Sequence, residues 1–203
     1  MNLWYKIQSK IFTFIGDIKW AGILHPFWFI FNAKNYQLKG EHYFKVQSLI
    51  QPGDILIRRF EGYVDKWLIP GYFNHGGIYF GKKNEQVIHA ISDGVIVETL
   101  VDFMRADHCI VLRPPKDMID NALEKANSIV GAAYDFNFDF EDSRTFSCTE
   151  VVDYCYPGII QPKRRFGRMT VVADDIVACD QLKTVWDSRI DYRVTHHWLK
   201  KRR

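Results

Sequence analysis

Between residues 51 and 112 short apolar runs alternate with glycine-bearing turns, and few folds accommodate that pattern. Gln51-Pro52-Gly53-Asp54 reads as a turn leading into Ile55-Leu56-Ile57, a short strand. Asn74–Phe80 is strand-like and runs into the turn Gly81-Lys82-Lys83-Asn84; Gln86–Ile91, the turn Ser92-Asp93-Gly94, Val95–Thr99 and Cys109–Leu112 complete the series. Tight turns join antiparallel neighbours, whereas parallel strands need long crossovers, so the sheet is expected to be antiparallel. Helices follow. Asp117–Val130 carries Ile119, Leu123, Ala126, Ile129 and Val130 on one face and stops at Gly131, a natural C-terminal cap. A second helix begins near Ser147, a third covers Val171–Cys179, and Leu182–Trp186 reads as a last strand. The fold class is α+β, an antiparallel sheet packed against helices. A chain of 203 residues, 47% of them hydrophobic, suits one compact domain with a real core.

The two ends differ from this body. Of the 31 aromatic residues (6 Trp, 10 Tyr, 15 Phe), 12 fall within residues 1–44, including the run Phe27-Trp28-Phe29. The net charge of +3 drops to −1 without Lys200, Lys201, Arg202 and Arg203, so the body is nearly neutral. Three parts are therefore expected: an aromatic helical extension over 1–44, a compact central domain over 45–188 and a basic tail over 189–203. Residues 2–19 read as an amphipathic helix, with Leu3, Trp4, Ile7, Ile11, Phe14, Ile15 and Ile18 on one side and Lys6, Lys10, Thr13 and Asp17 on the other. Two readings stay open for it: packing on the domain, or contact with a membrane surface through residues 1–31. No stretch reaches the roughly 20 apolar residues of a membrane span, and Lys6, Lys10, Asp17 and Lys19 interrupt any signal-peptide core. The expected location is the cytoplasm, with peripheral membrane contact under the second reading. Cys109, Cys148, Cys155 and Cys179 form no C-x-x-C pair, so a cysteine that matters here should matter as a thiol.

One cysteine stands out. Ser147-Cys148-Thr149-Glu150 matches the capping box, which makes Ser147 the N-cap and Cys148 the first helical residue. Its sulfur would then lie among unpaired backbone N–H groups at the positive helix end, an environment expected to lower a thiol pKa and to stabilise an oxyanion. Cys155, two turns on, and Cys109 and Cys179 read as core or spacer. A catalytic thiol needs a base, and the base an orienting partner. His75, followed by two glycines, lies on one strand and His89 on the next. With a three-residue loop at Gly81–Lys83, Phe80 pairs with Asn84 and His75 falls directly opposite His89 on one face. His25, His42, His108, His196 and His197 look incidental. No spacing motif supports a zinc site from His75, His89 and Cys148, and no metal or organic cofactor is expected.

Taken in order, Gln51–Leu56, His75–Gly81, Val87–Ala90 with Gly94-Val95, Gly131-Ala132-Ala133-Tyr134-Asp135 and Ser147–Val152 resemble the circularly permuted NlpC-type papain-fold hydrolases. The YiiX-like subgroup, related to the lecithin–retinol acyltransferase type, is the best match, over roughly residues 50–180. The resemblance implies a permuted papain-like fold in which the nucleophile follows the histidine in sequence. It assigns Cys148 as nucleophile, His75 as general base, His89 as the polar residue that orients the imidazole, and Tyr134 as a tyrosine near the site that assists the oxyanion. Many YiiX-like members hold Glu where His89 stands, a departure that bears on pH dependence. Asp135 and Glu150 would shape the pocket without being catalytic.

The implied chemistry is thiol-dependent hydrolysis or acyl transfer at an amide or ester through a covalent acyl-enzyme, on a peptide or a lipid-acyl substrate. The rival is an idle papain-like binding module that engages a membrane or protein partner; the intact set Cys148, His75 and His89 argues against it. Nucleic-acid binding through Lys163, Arg164, Arg165 and Arg168 is not expected, because a nearly neutral body offers no extended basic face. Oligomeric state is open.

Overall fold

The computed structural model describes residues 3–16, 18–20, 29–31, 36–61, 70–81, 84–138, 140, 144–165 and 167–191. In chain order the elements are α1 (Leu3–Gly16), β1 (Ile18–Trp20), β2 (Phe29–Phe31), α2 (Gly40–Gln47), β3 (Ile55–Arg59), β4 (His75–Gly81), β5 (Gln86–Ile91), β6 (Gly94–Thr99), α3 (Leu100–Phe103) and β7 (His108–Arg113). A 3-10 turn at Lys116–Met118 leads into α4 (Ile119–Ser128), followed by α5 (Cys148–Cys155), β8 (Lys163–Arg165), β9 (Arg168–Thr170), α6 (Ala173–Val177) and β10 (Lys183–Asp187). Six strands form one antiparallel sheet in the order β10-β7-β3-β4-β5-β6. β1–β2 and β8–β9 are separate two-stranded hairpins.

The sheet is covered on both faces, which is why Ile55-Leu56-Ile57 reads as an unbroken apolar run rather than an alternation. Ile55, Ile57, Ile78 and Ile88 meet Ala122 and Ala126 of α4, Val151 and Val152 of α5 and Ile176 of α6 in the larger core. Leu56, Tyr79, Val87 and Val111 meet Val46 of α2, Phe103 of α3 and Trp186 of β10 in the smaller one. The Gln51–Asp54 turn ties these layers together. Fully buried Asp54 accepts the Gln51 N–H at 2.8 Å and the Arg113 guanidinium at 2.8 and 2.7 Å. The Tyr156 hydroxyl donates to the Gly53 carbonyl at 2.5 Å, fastening the end of α5 beside β3. Gly53 sits at φ +92°, and a Cβ there would come within 2.7 Å of Ile119 Cγ2, so glycine is required for both conformation and space.

The expected sheet strands and the three later helices all form, with ends shifted by a few residues. Four features were not anticipated: α2, the single turn α3, and the hairpins β1–β2 and β8–β9. α2 escaped because its apolar residues are few; it is secured instead by its start, where His42 Nδ1 accepts the Lys39 backbone N–H at 3.0 Å. The expected N-terminal helix forms as α1. Phe27 and Trp28 of the aromatic run, and the tail beyond residue 191, lie outside the described residues. Among the described residues no helix is long and apolar enough to cross a membrane.

Candidate active site

Ser147 is the N-cap of α5, and Glu150 Oε2 accepts its backbone N–H at 2.5 Å, completing the carboxylate half of the capping box. Cys148 is therefore the first residue of the helix, as the sequence pattern implies. It is buried, and the backbone N–H groups of Gly76, the residue after His75, and of Thr149 favour its charged form. Its protonation differs from expectation. Burial pushes the Cys148 thiol up to about 11, against the pull of the Gly76 and Thr149 N–H groups and the Arg58 charge; Glu150 pushes the same way as burial. A helix end contributes only about 0.3–1 kcal/mol, too little to outweigh the desolvation of a buried thiolate. The resting group is a thiol, so it depends on a base.

His75 opens β4 and His89 lies in β5. Their rings meet edge to face with centroids 5.0 Å apart, and His75 Nε2 is 2.8 Å from His89 Nδ1. The expectation of one shared face is met, but direct opposition is not. His89 pairs with Gly77, two residues from the expected register: the turn closes at Gly81 and Gln86 rather than at Phe80 and Asn84, and a bulge between Tyr79 and Gly81 shifts the pairing by one, so the histidines are diagonal neighbours. Gly77 makes this work. A Cβ there would lie 2.9 Å from His89 Cβ, 3.0 Å from Phe103 Cε2 and 3.1 Å from the Ile88 carbonyl oxygen. Gly77→Ala is expected to cost about 1–3 kcal/mol of stability and to displace His89, read by thermal denaturation together with the thiol alkylation rate. A variant with unchanged melting and unchanged Cys148 reactivity would show that the space is not needed. On the other face, a Cβ at Gly76 would approach Ile57 Cδ1 at 2.9 Å, Val152 Cγ2 at 3.7 Å and the Cys148 carbonyl at 3.8 Å, so glycine there lets α5 sit close to β4.

Two residues not singled out in the sequence join this group. Glu98 of β6 places Oε2 3.1 Å from His89 Nε2, within reach of a proton on that nitrogen. Buried Arg58 of β3 pairs across the sheet with His75. Its Nη1 donates to the Phe103 carbonyl at 2.7 Å and lies 3.5 Å from Glu98 Oε2, and its guanidinium stacks 4.1 Å over the Phe103 ring. Burial, then the Arg58 charge, then His89 hold the His75 imidazole well below its ordinary value. Burial also lowers His89, although the hydrogen-bonding pull of Glu98 opposes it. Both imidazoles are neutral near pH 7. A signal for Glu98 was available: the tight Ser92-Asp93 turn pairs Ile91 with Gly94, so alternation sets Glu98 on the face of His89. Arg58 had none, because its pairing with His75 spans the connection between β3 and β4.

Tyr134 lies on the segment that runs beside the approach to Cys148, where Ala133 bridges Thr145 and its carbonyl accepts the Phe146 N–H at 3.0 Å. Its ring packs on Phe136 at 4.8 Å and Phe138 at 6.5 Å and against the larger core. Asp135 and Glu150 are both buried beneath the helix start; burial and the neighbouring Asp135 raise the Glu150 carboxyl. Cys109 and Cys155 are buried free thiols pushed up to about 12 by desolvation, as core cysteines should be. The basic hairpin is largely engaged within the chain. Lys163 and Arg165 both reach Asp175 at 2.7 Å, and Arg168 donates to the Asn137 carbonyl. Among the described residues no group of three or more His, Cys, Asp or Glu is placed to hold a metal ion.

Comparison with known proteins matches the chain to a known family. A family model described as a permuted papain-like amidase enzyme of the YaeF/YiiX type, the C92 peptidase family, matches residues 49–188. Among solved structures the chain is similar to one titled as the metalloprotein YiiX from Escherichia coli O157:H7, with a TM-score of 0.58 and 18% identity over 68% of this chain and 97% of that one. At that identity the likeness speaks for the fold. No curated protein matches the chain.

Proposed function

The chain belongs to the permuted papain-like amidase family, and we propose that residues 45–188 form a thiol hydrolase that cleaves an amide bond through Cys148, His75 and His89. One observation carries this reading. The backbone N–H of Gly76, directly after His75, favours the charged form of the Cys148 thiol, and the His75 ring is in turn 2.8 Å from His89. His75 takes the proton from the Cys148 thiol as the sulfur attacks the substrate carbonyl carbon, with the Cys148 N–H, assisted by Tyr134, holding the oxyanion. Collapse of the tetrahedral intermediate breaks the C–N bond, and His75 returns the proton to the departing amine. Water, deprotonated by His75, then releases the acyl group and restores the thiol. The test is peptide mapping after limited treatment with iodoacetamide, with hydrolysis of a set of peptide amides followed in parallel. Modification at Cys148 first, with proportional loss of hydrolysis, supports the reading; hydrolysis that survives full Cys148 modification rejects it and leaves the binding-module alternative.

A second reading concerns where the enzyme works. On α1, Trp4 is 68% exposed, Ile7 43%, Ile11 51% and Phe14 58%, forming one apolar stripe with exposed Lys6 and Lys10 beside it. Gln8, on another side of the helix, donates to the Phe136 carbonyl at 2.9 Å and so links α1 to the segment that leads toward Cys148. This pattern suits a peripheral contact with an anionic lipid surface on the cytoplasmic side, and with it a lipid-acyl substrate. Flotation with vesicles of phosphatidylcholine and phosphatidylserine is expected to carry the full chain but not the Ile7→Glu/Ile11→Glu variant. Equal flotation of both would reject the contact.

A further inference from the structure

We propose that Glu98 is a positioning residue that fixes the tautomers of both histidines and thereby selects Nδ1 of His75 as the atom that accepts the thiol proton. This rests on the thiol-hydrolase reading above and adds a fourth member to its site.

The argument follows the hydrogen atoms. Glu98 Oε2 stands 3.1 Å from His89 Nε2, and that ring edge is otherwise buried without a hydrogen-bond acceptor. A bare imidazole nitrogen facing a carboxylate at that distance would set two lone pairs against each other, so the proton of neutral His89 belongs on Nε2. His89 Nδ1 is then an acceptor. Its partner at 2.8 Å is His75 Nε2, which must therefore carry the His75 proton. The remaining nitrogen, His75 Nδ1, is left with its lone pair. Without Glu98 the pair could equally hold its protons the other way round, with Nδ1–H of His89 donating to His75 Nε2, and the proton of His75 would then occupy the nitrogen needed as base.

The surroundings support an ionised Glu98. The carboxylate is 28% exposed, so it keeps some water, and Arg58 Nη1 lies 3.5 Å away. Arg58 is itself held by the Phe103 carbonyl and ring, and Phe103 packs on both imidazoles with centroids 5.8 Å from His75 and 5.2 Å from His89. Arg58 and Phe103 thus restrict ring rotation while Glu98 sets the polarity of the chain. The ionisable groups that face Glu98 are His89 from β5, Arg58 from β3 and Asp102 from α3; Arg58 and His89 favour its charged form, and Asp102 opposes it.

The test uses the full chain. Long-range nitrogen–proton NMR of the imidazoles near pH 7.5, assigned with His75→Asn and His89→Asn variants, is expected to find both rings protonated at Nε2. Protonation of His89 at Nδ1 would overturn the proposal without touching the assignment of Cys148 as nucleophile. In parallel, Glu98→Ala is expected to slow iodoacetamide alkylation of Cys148 by about 10–100-fold near neutral pH. Glu98→Gln, whose amide oxygen can still accept from His89, is expected to stay within a few-fold of the parent. An alanine variant with the parent rate and pH profile would also overturn it. If the alanine variant does not fold, the glutamine variant and the tautomers of the parent decide. Alkylation that persists in Cys148→Ala would instead reject the underlying reading, a result distinct from either of these.

Discussion

Replacing Cys148 with alanine is expected to abolish amide hydrolysis, a loss on the order of 10⁴–10⁶ in kcat, and to remove the fast phase of thiol alkylation. The magnitude follows from the role: without a nucleophile no acyl-enzyme forms, and only binding and oxyanion stabilisation are left. The change should cost little in folding. Cys148 is buried, but its substitution removes a single heavy atom, for which about 1 kcal/mol is expected, and the Ser147–Glu150 cap that starts α5 stays in place. Cys155→Ala is the internal comparison. That thiol lies seven residues on, at the last residue of α5, and burial pushes it up to about 12. It should be substituted without loss of hydrolysis. Should Cys148→Ala keep its activity while Cys155→Ala loses it, the two roles would be reversed.

His75→Asn is expected to lower kcat/KM by about 10²–10⁴, and the more informative readout is the pH profile. In the parent, desolvation and the Arg58 charge hold His75 well below its ordinary value of 6.5, and the thiol does not ionise until about 11. The active form pairs a neutral imidazole with a neutral thiol. Activity should therefore stay level from neutral pH downward past 6.5 before the acid limb appears, and no alkaline limb from Cys148 should appear below about 11. The asparagine variant should lose the acid limb along with the rate. A parent profile that rises with a midpoint of 8 to 9 would show instead that the reactive species is a pre-formed thiolate. The same shifts have a consequence for folding. Because His75 and His89 bind protons less readily folded than unfolded, protonation favours the unfolded chain. Their contribution is fully present above about 6.5 and is lost as pH falls from there toward the folded values.

Much of the site was legible before any tertiary structure. The helix start at Ser147 and the strands holding His75 and His89 follow from local rules: a capping box needs four residues, and a strand face needs only alternation. The shared face of the two histidines survived an error in register, because a slip of two residues preserves the face and a slip of one would not. Glu98 shares the face of His89 by alternation from the Ser92-Asp93 turn, a local signal in the sequence.

What the amino-acid order determined by itself was the α+β layout, a cysteine at a helix start and the histidine pair, all set by spacing along the chain. The tertiary structure alone decided the protonation of the site and the identity of its outer members. Arg58 reaches His75 only through the pairing of β3 with β4, and Cys148 is a thiol rather than a thiolate because α5 is packed against that sheet. Desolvation depends on everything that surrounds a group, most of it distant in sequence, so no local motif could have announced it.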